Sequence, residues 1–325
     1  MKHLQIQFPS PRQAVLTEIP AGEAPIAPDE VAGRTLASVV SAGTEIAGAY
    51  VSAPEYPASP GYSAVFEIEE VGSDVADLAA GDRVFCMGPH RSSQRTAQSA
   101  CVKVPDGLDP GDAVLARLMG VSMSTLTTTT ARPPQPVVVT GLGPVGYLAS
   151  AIFSACGYSV TACDPVASRR ELAQQIPGIR VVPALSDLDP ALVGRVALAI
   201  ECSGHEQAAL DCCRVVRKRG EVVLVGVPWT RRTDLPAFDL LHAVFHHYVV
   251  LRSGWEWEVP LNETDFRTGN LFGNFHAALR WLAAGRIPVA GIAAPISPAD
   301  CQQAYQDLLH GRAGALTFVF DWTRV

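Results

Sequence analysis

Apolar residues fall into two regimes along the chain. From residue 1 to 107 they come in short runs such as Ala14–Ile19, Thr35–Ser41, Ser63–Val71 and Arg83–Met87, separated by Pro57, Pro60, Gly61, Gly72, Gly81–Asp82 and Pro105–Gly107. Short β-prone runs between such breakers predict a β-rich domain rather than βαβ units. From about Ala113 the pattern changes to helix and strand in alternation. Val137–Val139 is a short buried strand, and Val145, Leu148, Ala149, Ile152, Phe153 and Cys156 recur at helical spacing. Gly157 ends that helix, and Tyr158–Cys163 reads as the next strand. Val196–Ile200 and Glu221–Val227 are further buried strands, with a helix over Ala208–Val216 between them. Right-handed crossovers place such strands in one parallel sheet. His246–Leu251 is expected to be its last strand, so that His246 and His247 are ordinary strand or loop residues. Helices are expected over Asn274–Gly285 and Pro298–His310, and a final strand over Leu316–Phe320. The fold class is therefore α/β, a doubly wound parallel sheet joined to a β-rich domain. Thr127–Thr130 reads as a helix end or loop.

The glycines after Val139 give the alternating part its chemistry. Gly141 permits a sharp turn, Gly143 lets backbone approach a pyrophosphate, and Gly146 lets the helix pack closely on the strand. Pro144 and Val145 open the helix, whose free N–H groups and positive dipole end suit phosphate. Asp164 stands 18 residues beyond Gly146, where an acid accepts hydrogen bonds from the adenosine ribose. That acid repels a 2′-phosphate and favours NAD over NADP, although Arg169 and Arg170 follow it and arginine can meet such a phosphate.

Composition narrows the partners. With 325 residues, 48% hydrophobic and 18% charged, the chain is long enough for two domains with real cores. A net charge of −7 argues against nucleic acid or an anionic membrane as partner. No basic block, long apolar span or cleavable leader is evident, so a cytoplasmic protein with a small-molecule substrate is expected. The eight cysteines are scattered without a CxxC and read as buried reduced thiols, Cys212 and Cys213 among them.

Six segments carry a family resemblance: SAGTE at Ser41–Glu45, PGYSAVFEIEEVG at Pro60–Gly72, GDRVF at Gly81–Phe85, VTGLGPVG at Val139–Gly146, ECSG at Glu201–Gly204 and GEVVLVGVP at Gly220–Pro228. Together they resemble the medium-chain dehydrogenase/reductase superfamily, near its polyol and threonine dehydrogenase branch. The SxGTE form is also similar to a bacteriochlorophyllide dehydrogenase-like branch. The resemblance implies a GroES-like catalytic domain (1–112), an inserted Rossmann domain (113–265) and a return segment completing the catalytic domain (266–325). It implies contacts to the cofactor from Ser203 and Gly204 on the adenosine side and from Gly226 and Val227 near the nicotinamide ribose. It also implies a homodimer. Trp255 and Trp257, with acids between them, would then cover a subunit interface or line a sugar site.

The chain departs from that family at its zinc positions. Ala42 stands where zinc members carry cysteine, Tyr62 and Ser63 where they carry His-Glu, and Arg117 at the third position. A methyl group cannot ligate and a guanidinium repels a cation, so no metal is expected at the catalytic site. No cysteine cluster for a structural zinc lies between Phe85 and Val102, and a stray pair from Cys86 and His90 reads as a core thiol and a loop histidine. Alcohol oxidation still needs a proton acceptor and stabilisation of charge on oxygen. Thr44 matches a family hydroxyl that contacts the substrate oxygen. Tyr62 can act as acid/base or simply fill the metal cavity. Arg117 can lower the pKa of that phenol. Glu45 can pair with Arg117 or act as a base. His90, with Arg91–Arg95, forms an expected polar loop that either touches substrate or stays solvated. The expected function is a zinc-independent, NAD-dependent interconversion of a secondary alcohol and a ketone on a polar sugar, cyclitol or amino-polyol. The alternatives are a zinc-free enone or quinone reductase, a catalytically silent dinucleotide binder, and a zinc enzyme with relocated ligands.

Overall fold

The computed structural model describes residues 3–20, 25–267 and 269–325. The first part of the chain gives strands β1 (His3–Gln7), β2 (Val15–Ile19) and β3 (Glu30–Val39), a helical turn α1 (Ala42–Glu45) running into π-helical Ile46–Tyr50, then β4 (Ala64–Val71), β5 (Arg83–Cys86), β6 (Ser93–Ala97), β7 (Cys101–Lys103) and α2 (Pro110–Ala113). The middle gives α3 (Ala116–Thr128), β8 (Pro136–Thr140), α4 (Pro144–Ala155), β9 (Ser159–Cys163), α5 (Ala167–Ala173), β10 (Arg180–Val182), β11 (Val196–Glu201), α6 (Glu206–Val215), β12 (Val216–Leu224), α7 (Ala237–His247), β13 (Val250–Ser253) and α8 (Leu271–Ala283). The chain closes with β14 (Ala293–Ile296), α9 (Cys301–Leu309) and β15 (Thr317–Asp321). Two compact units result. One holds Met1–Arg117, Phe275–Ala284 and Val289–Val325, and the other holds Leu118–Asn274 and Gly285–Pro288. The first two of the four boundaries fall inside α3 and α8, beside the expected divisions at 112/113 and 265/266.

In the first unit a seven-stranded sheet runs β14-β15-β3-β4-β5-β7, with β6 also paired to β3. All of its pairs are antiparallel except β14 with β15. The C-terminal strands thus complete the sheet that the N-terminal strands begin. The unit packs an aromatic core in which Phe8 meets Tyr305 edge-on at 4.8 Å and Tyr50 stacks on Tyr305 at 5.2 Å. Aromatic pairs of this geometry add to area burial, and here they fix α9 against the π-helical turn after α1.

The second unit is a six-stranded sheet in the order β10-β9-β8-β11-β12-β13, parallel throughout. Strand order reverses between β8 and β11, which is the topological switch point of a doubly wound fold. Its strands are apolar runs because both faces are covered: every residue of β11 is buried. Cys212 and Cys213 pack, fully buried, in the core beneath Val196, Ala199 and Val222.

Two expectations need correcting. His246 and His247 end helix α7, and the last strand starts later, at Val250. Ala243 is buried, and Leu240 and Val244 pack on the β11–β12 core, so the stretch has one helical apolar stripe. Tyr248, at φ 54°, then turns the chain out of the helix. The segment His90–Arg95 is not a solvated loop either. Ser93–Ala97 is strand β6, paired with β3, and His90 is wholly buried. His90 and Gln94 find partners on β3, Ser38 Oγ at 2.7 Å and Thr35 Oγ1 at 3.2 Å.

Candidate functional site

In the doubly wound unit, the turn after β8 is shaped by three glycines with different tasks. Gly141 has φ +82°, and a Cβ there would stand 2.7 Å from the Ser203 nitrogen. A Cβ on Gly146 would stand 1.8 Å from the Gly141 carbonyl oxygen, so only glycine lets α4 sit this close to the turn. Gly143 opens onto empty space and is the N-cap of α4, which no side chain caps and which Pro144 opens at its first position. The first-turn N–H groups of α4 are therefore available, with room for an anion beside them. This fits the pyrophosphate of a dinucleotide.

Asp164 closes the turn from behind. It is buried, and its carboxylate accepts from the Leu142 N–H at 2.7 Å and the Val166 N–H at 2.8 Å, with Arg169 Nη1 at 3.4 Å. The acid thus ties the end of β9 to the glycine turn. Glu201 does the same work across the switch point. Its carboxylate accepts from the Ser203 hydroxyl, from the Ser203 N–H at 2.7 Å and from the Gly204 N–H at 3.0 Å. Burial pushes its pKa up, against the lowering effect of those hydrogen bonds. Gly204, at φ +65°, lies against Val227, and a Cβ on Gly226 would stand 2.3 Å from the Gly204 nitrogen. Gly141, Ser203, Gly204 and Gly226 therefore converge at the C-terminal ends of β8, β11 and β12, while Val227 is exposed beside them.

The β-rich unit gathers a second polar cluster around α1. Glu45 is buried, and its carboxylate accepts from the Ser41 N–H at 2.8 Å and the Tyr305 hydroxyl at 2.6 Å, with His90 Nε2 at 3.1 Å. His90 Nδ1 lies 2.7 Å from the Ser38 hydroxyl, which also accepts from Trp322 Nε1 at 2.9 Å. Burial pushes the Tyr305 hydroxyl pKa well up, and the Glu45 charge adds to it. Glu45 therefore bonds His90 and Tyr305, where a pairing with Arg117 or a role as base had been the two open expectations; Tyr305 reaches it from the far end of the chain inside the aromatic core. His90 is too deep to touch a ligand and instead orients Glu45.

Tyr62 and Arg117 do come together. The guanidinium carbon of Arg117 lies 4.4 Å from the centre of the Tyr62 ring and 5.8 Å from that of Phe275. The half-buried Tyr62 donates its hydroxyl to Ser41 Oγ at 2.5 Å. Thr44 is exposed on α1. A methyl at Ala42, a phenol at Tyr62 and a guanidinium at Arg117 are not a donor set that fits zinc. Among the described residues no three His, Cys, Asp or Glu side chains gather where they could hold a metal ion.

Sequence reasoning missed Ser41, Tyr305 and Glu201. Ser41 and Glu201 lie inside motifs that it did single out, SAGTE and ECSG, but the motifs gave no sign of which groups these side chains would reach. Tyr305 is 260 residues from its partner Glu45, and no local pattern signals such a contact.

Comparison with known proteins agrees with this architecture. A family described as zinc-binding dehydrogenase matches residues 144–258, all within the doubly wound unit and clear of Ala42, Tyr62 and Arg117. The chain is 29% identical to an alcohol dehydrogenase of Geobacillus stearothermophilus over 57% of its own length and 66% of that protein's. It is 27% identical to the L-galactonate-5-dehydrogenase of Escherichia coli (strain K12), over 63% and 71% of the two chains. The alignment thus spans just under two thirds of the first of these relatives. Galactitol-1-phosphate dehydrogenase from Escherichia coli has the same fold, with TM-score 0.82 at 18% identity over 98% of this chain and 99% of that one. A GroES-like β-rich unit and a Rossmann unit with its glycine turn make up the shared fold. In its matched segment and in its fold the chain resembles the medium-chain dehydrogenase/reductase superfamily.

Proposed function

We propose that this protein interconverts a secondary alcohol and a ketone on a polar small molecule of the sugar, cyclitol or amino-polyol type, with NAD and without zinc. The observation that carries this reading is the Tyr62–Arg117 pair at the positions where zinc relatives hold the metal. A bound nicotinamide dinucleotide supplies the hydride acceptor. The glycine turn and the α4 N-terminus hold its pyrophosphate, and Ser203, Gly204, Gly226 and Val227 line its path. Asp164 places a carboxylate at the adenosine ribose, which favours a free 2′-hydroxyl over a 2′-phosphate. Arg169 is partly drawn onto that acid, which supports NAD over NADP.

Proton handling falls to the β-rich unit. Tyr62 exchanges a proton with the substrate oxygen as general acid/base. The Arg117 cation 4.4 Å from its ring centre is placed to attract the negative charge of a phenolate. Thr44 offers an exposed hydroxyl to the same oxygen. Glu45, held by His90 and Tyr305, keeps the α1 turn in place. The similarity to an L-galactonate-5-dehydrogenase supports a polyhydroxylated substrate.

We further propose that the chain forms a homodimer through the β13 edge of the parallel sheet. Helix α7 exposes Phe238, Leu241 and Phe245 on one side, and Trp255 and Trp257 are exposed after β13. Such apolar surface on a soluble enzyme calls for a partner. Light scattering that gives a monomer at micromolar concentration would remove this assembly.

The test of the catalytic reading is cofactor turnover with chelator present, across polyols, cyclitols, ketones, enones and quinones, with NAD(H) and NADP(H). Chelator-resistant oxidation of a polyol or cyclitol with NAD is the expected result. The Tyr62→Phe variant should then lose about 100-fold or more in turnover while still binding NADH. Turnover confined to enones or quinones would overturn the alcohol reading, and full activity in Tyr62→Phe would remove its proton role.

A further inference from the structure

The hydroxyl of Tyr62 is held from behind. Ser41 Oγ lies 2.5 Å from it, and Ser41 is almost wholly buried while Tyr62 is half-buried. Ser41 is thus more shielded from solvent than Tyr62. The serine is itself anchored, because its N–H donates to Glu45, and Glu45 is fixed in turn by His90 and Tyr305. On the ring face, Arg117 completes the surroundings.

We propose that Ser41, Tyr62 and Arg117 form one proton-transfer unit, in which Tyr62 meets the substrate oxygen and Ser41 and Arg117 are positioning residues that act through it. This rests on the reading of Tyr62 as acid/base given above. Phenol and phenolate make opposite demands on a neighbour, since the phenol donates a hydrogen bond and the phenolate must accept one. A serine hydroxyl serves both by rotating its proton, which neither alanine nor a carboxylate can do. In the oxidation direction the carbinol C–H bond breaks and its electron pair leaves with the hydrogen to the nicotinamide. The C=O bond forms, and the hydroxyl proton passes to the Tyr62 phenolate. Tyr62 then donates to Ser41, as the structure shows, and reduction runs the same steps backward. Tyr62 and Arg117 each make a further contact besides those above, and Glu45 and His90 are charged groups linked to Ser41. They bind one another and reach Ser41 only through its backbone N–H.

The test needs neither substrate nor cofactor. Ultraviolet phenolate absorbance of the protein minus that of Tyr62→Phe reports the titration of Tyr62 alone. Arg117→Met is expected to move that midpoint upward by roughly one to three pH units, the range for loss of a nearby opposite charge. Ser41→Ala is expected to move it upward by a smaller step, and Ser41→Thr, which keeps the hydroxyl, to restore it. The acidic limb of the turnover profile should move with it. A midpoint unchanged in both Ser41→Ala and Arg117→Met overturns the proposal, and Ser41→Thr keeps the test open if the alanine variant fails to fold. Shifted midpoints with no turnover of any alcohol would leave this unit standing and remove the dehydrogenase reading instead.

Discussion

At the scale of single residues, Glu45 shows what burial does to a polar side chain. A carboxylate taken from water must have its lone pairs satisfied or its charge becomes costly. Ser41, His90 and Tyr305 provide that satisfaction. Glu45→Gln keeps the size but puts an amide donor among donors, and its expected cost is about 1–3 kcal/mol of unfolding free energy. Denaturant unfolding measures that loss, and NADH fluorescence titration should show cofactor affinity unchanged, since the glycine turn has its own supports. The sequence identified Glu45, Tyr62, Arg117 and His90 as chemistry-bearing, because unusual residue types stood at motif positions. For Glu45 it left a pairing with Arg117 and a role as base both open, and it expected His90 in a polar loop where the structure buries it. A side chain's identity limits what it can bond but says nothing of which distant strand will present the partner.

At the scale of elements, the strand–turn–helix from Pro136 to Ala155 was legible because glycine spacing and apolar period act locally. Two of its glycines should fail differently when changed to alanine. Gly146→Ala forces a clash with the Gly141 carbonyl, with a stability loss of roughly 1–3 kcal/mol expected from overpacking and dinucleotide binding lost with it. Gly143→Ala meets nothing in the protein, so it should fold normally yet bind NADH more weakly. Thermal unfolding beside cofactor titration separates the two.

Helix α7 was misread because its histidines and apolar residues suit a strand equally well over six residues. Only its packing on the sheet core decided for helix. Glu221 offers a pH test of the β12–β13 edge. Burial alone would raise its pKa, but hydrogen bonds from Thr130 and the Arg252 charge outweigh that and hold it below the usual value. A carboxylate with a lowered folded pKa stabilises above its unfolded pKa and loses that contribution as pH falls through the folded one. Melting temperature should therefore drop on acidification below about pH 4.5, near the ordinary glutamate value. Glu221→Gln should flatten the drop, and an equally steep drop in the variant would show the pair to be inert.

At the scale of the whole molecule, the eight cysteines remain free thiols, and burial pushes several of them up, Cys101 and Cys163 to about 12 and Cys213 and Cys301 to about 11. A thiol so far from ionised reacts slowly. A thiol reagent at pH 8 should label the native protein sluggishly and all eight sites in denaturant, and rapid native labelling would contradict the packing of these cores. The sequence by itself determined the α/β class, the glycine turn and the acid at the end of β9. These are local facts of spacing and residue type. The tertiary structure alone decided that β14 and β15 complete the N-terminal sheet. It alone brought Tyr305 and Trp322 to the network of Ser38, Glu45 and His90, and set Ser41 behind Tyr62 with Arg117 over its ring. Those contacts join residues far apart in the chain, and their geometry comes from which faces must be buried together, a condition no local pattern encodes.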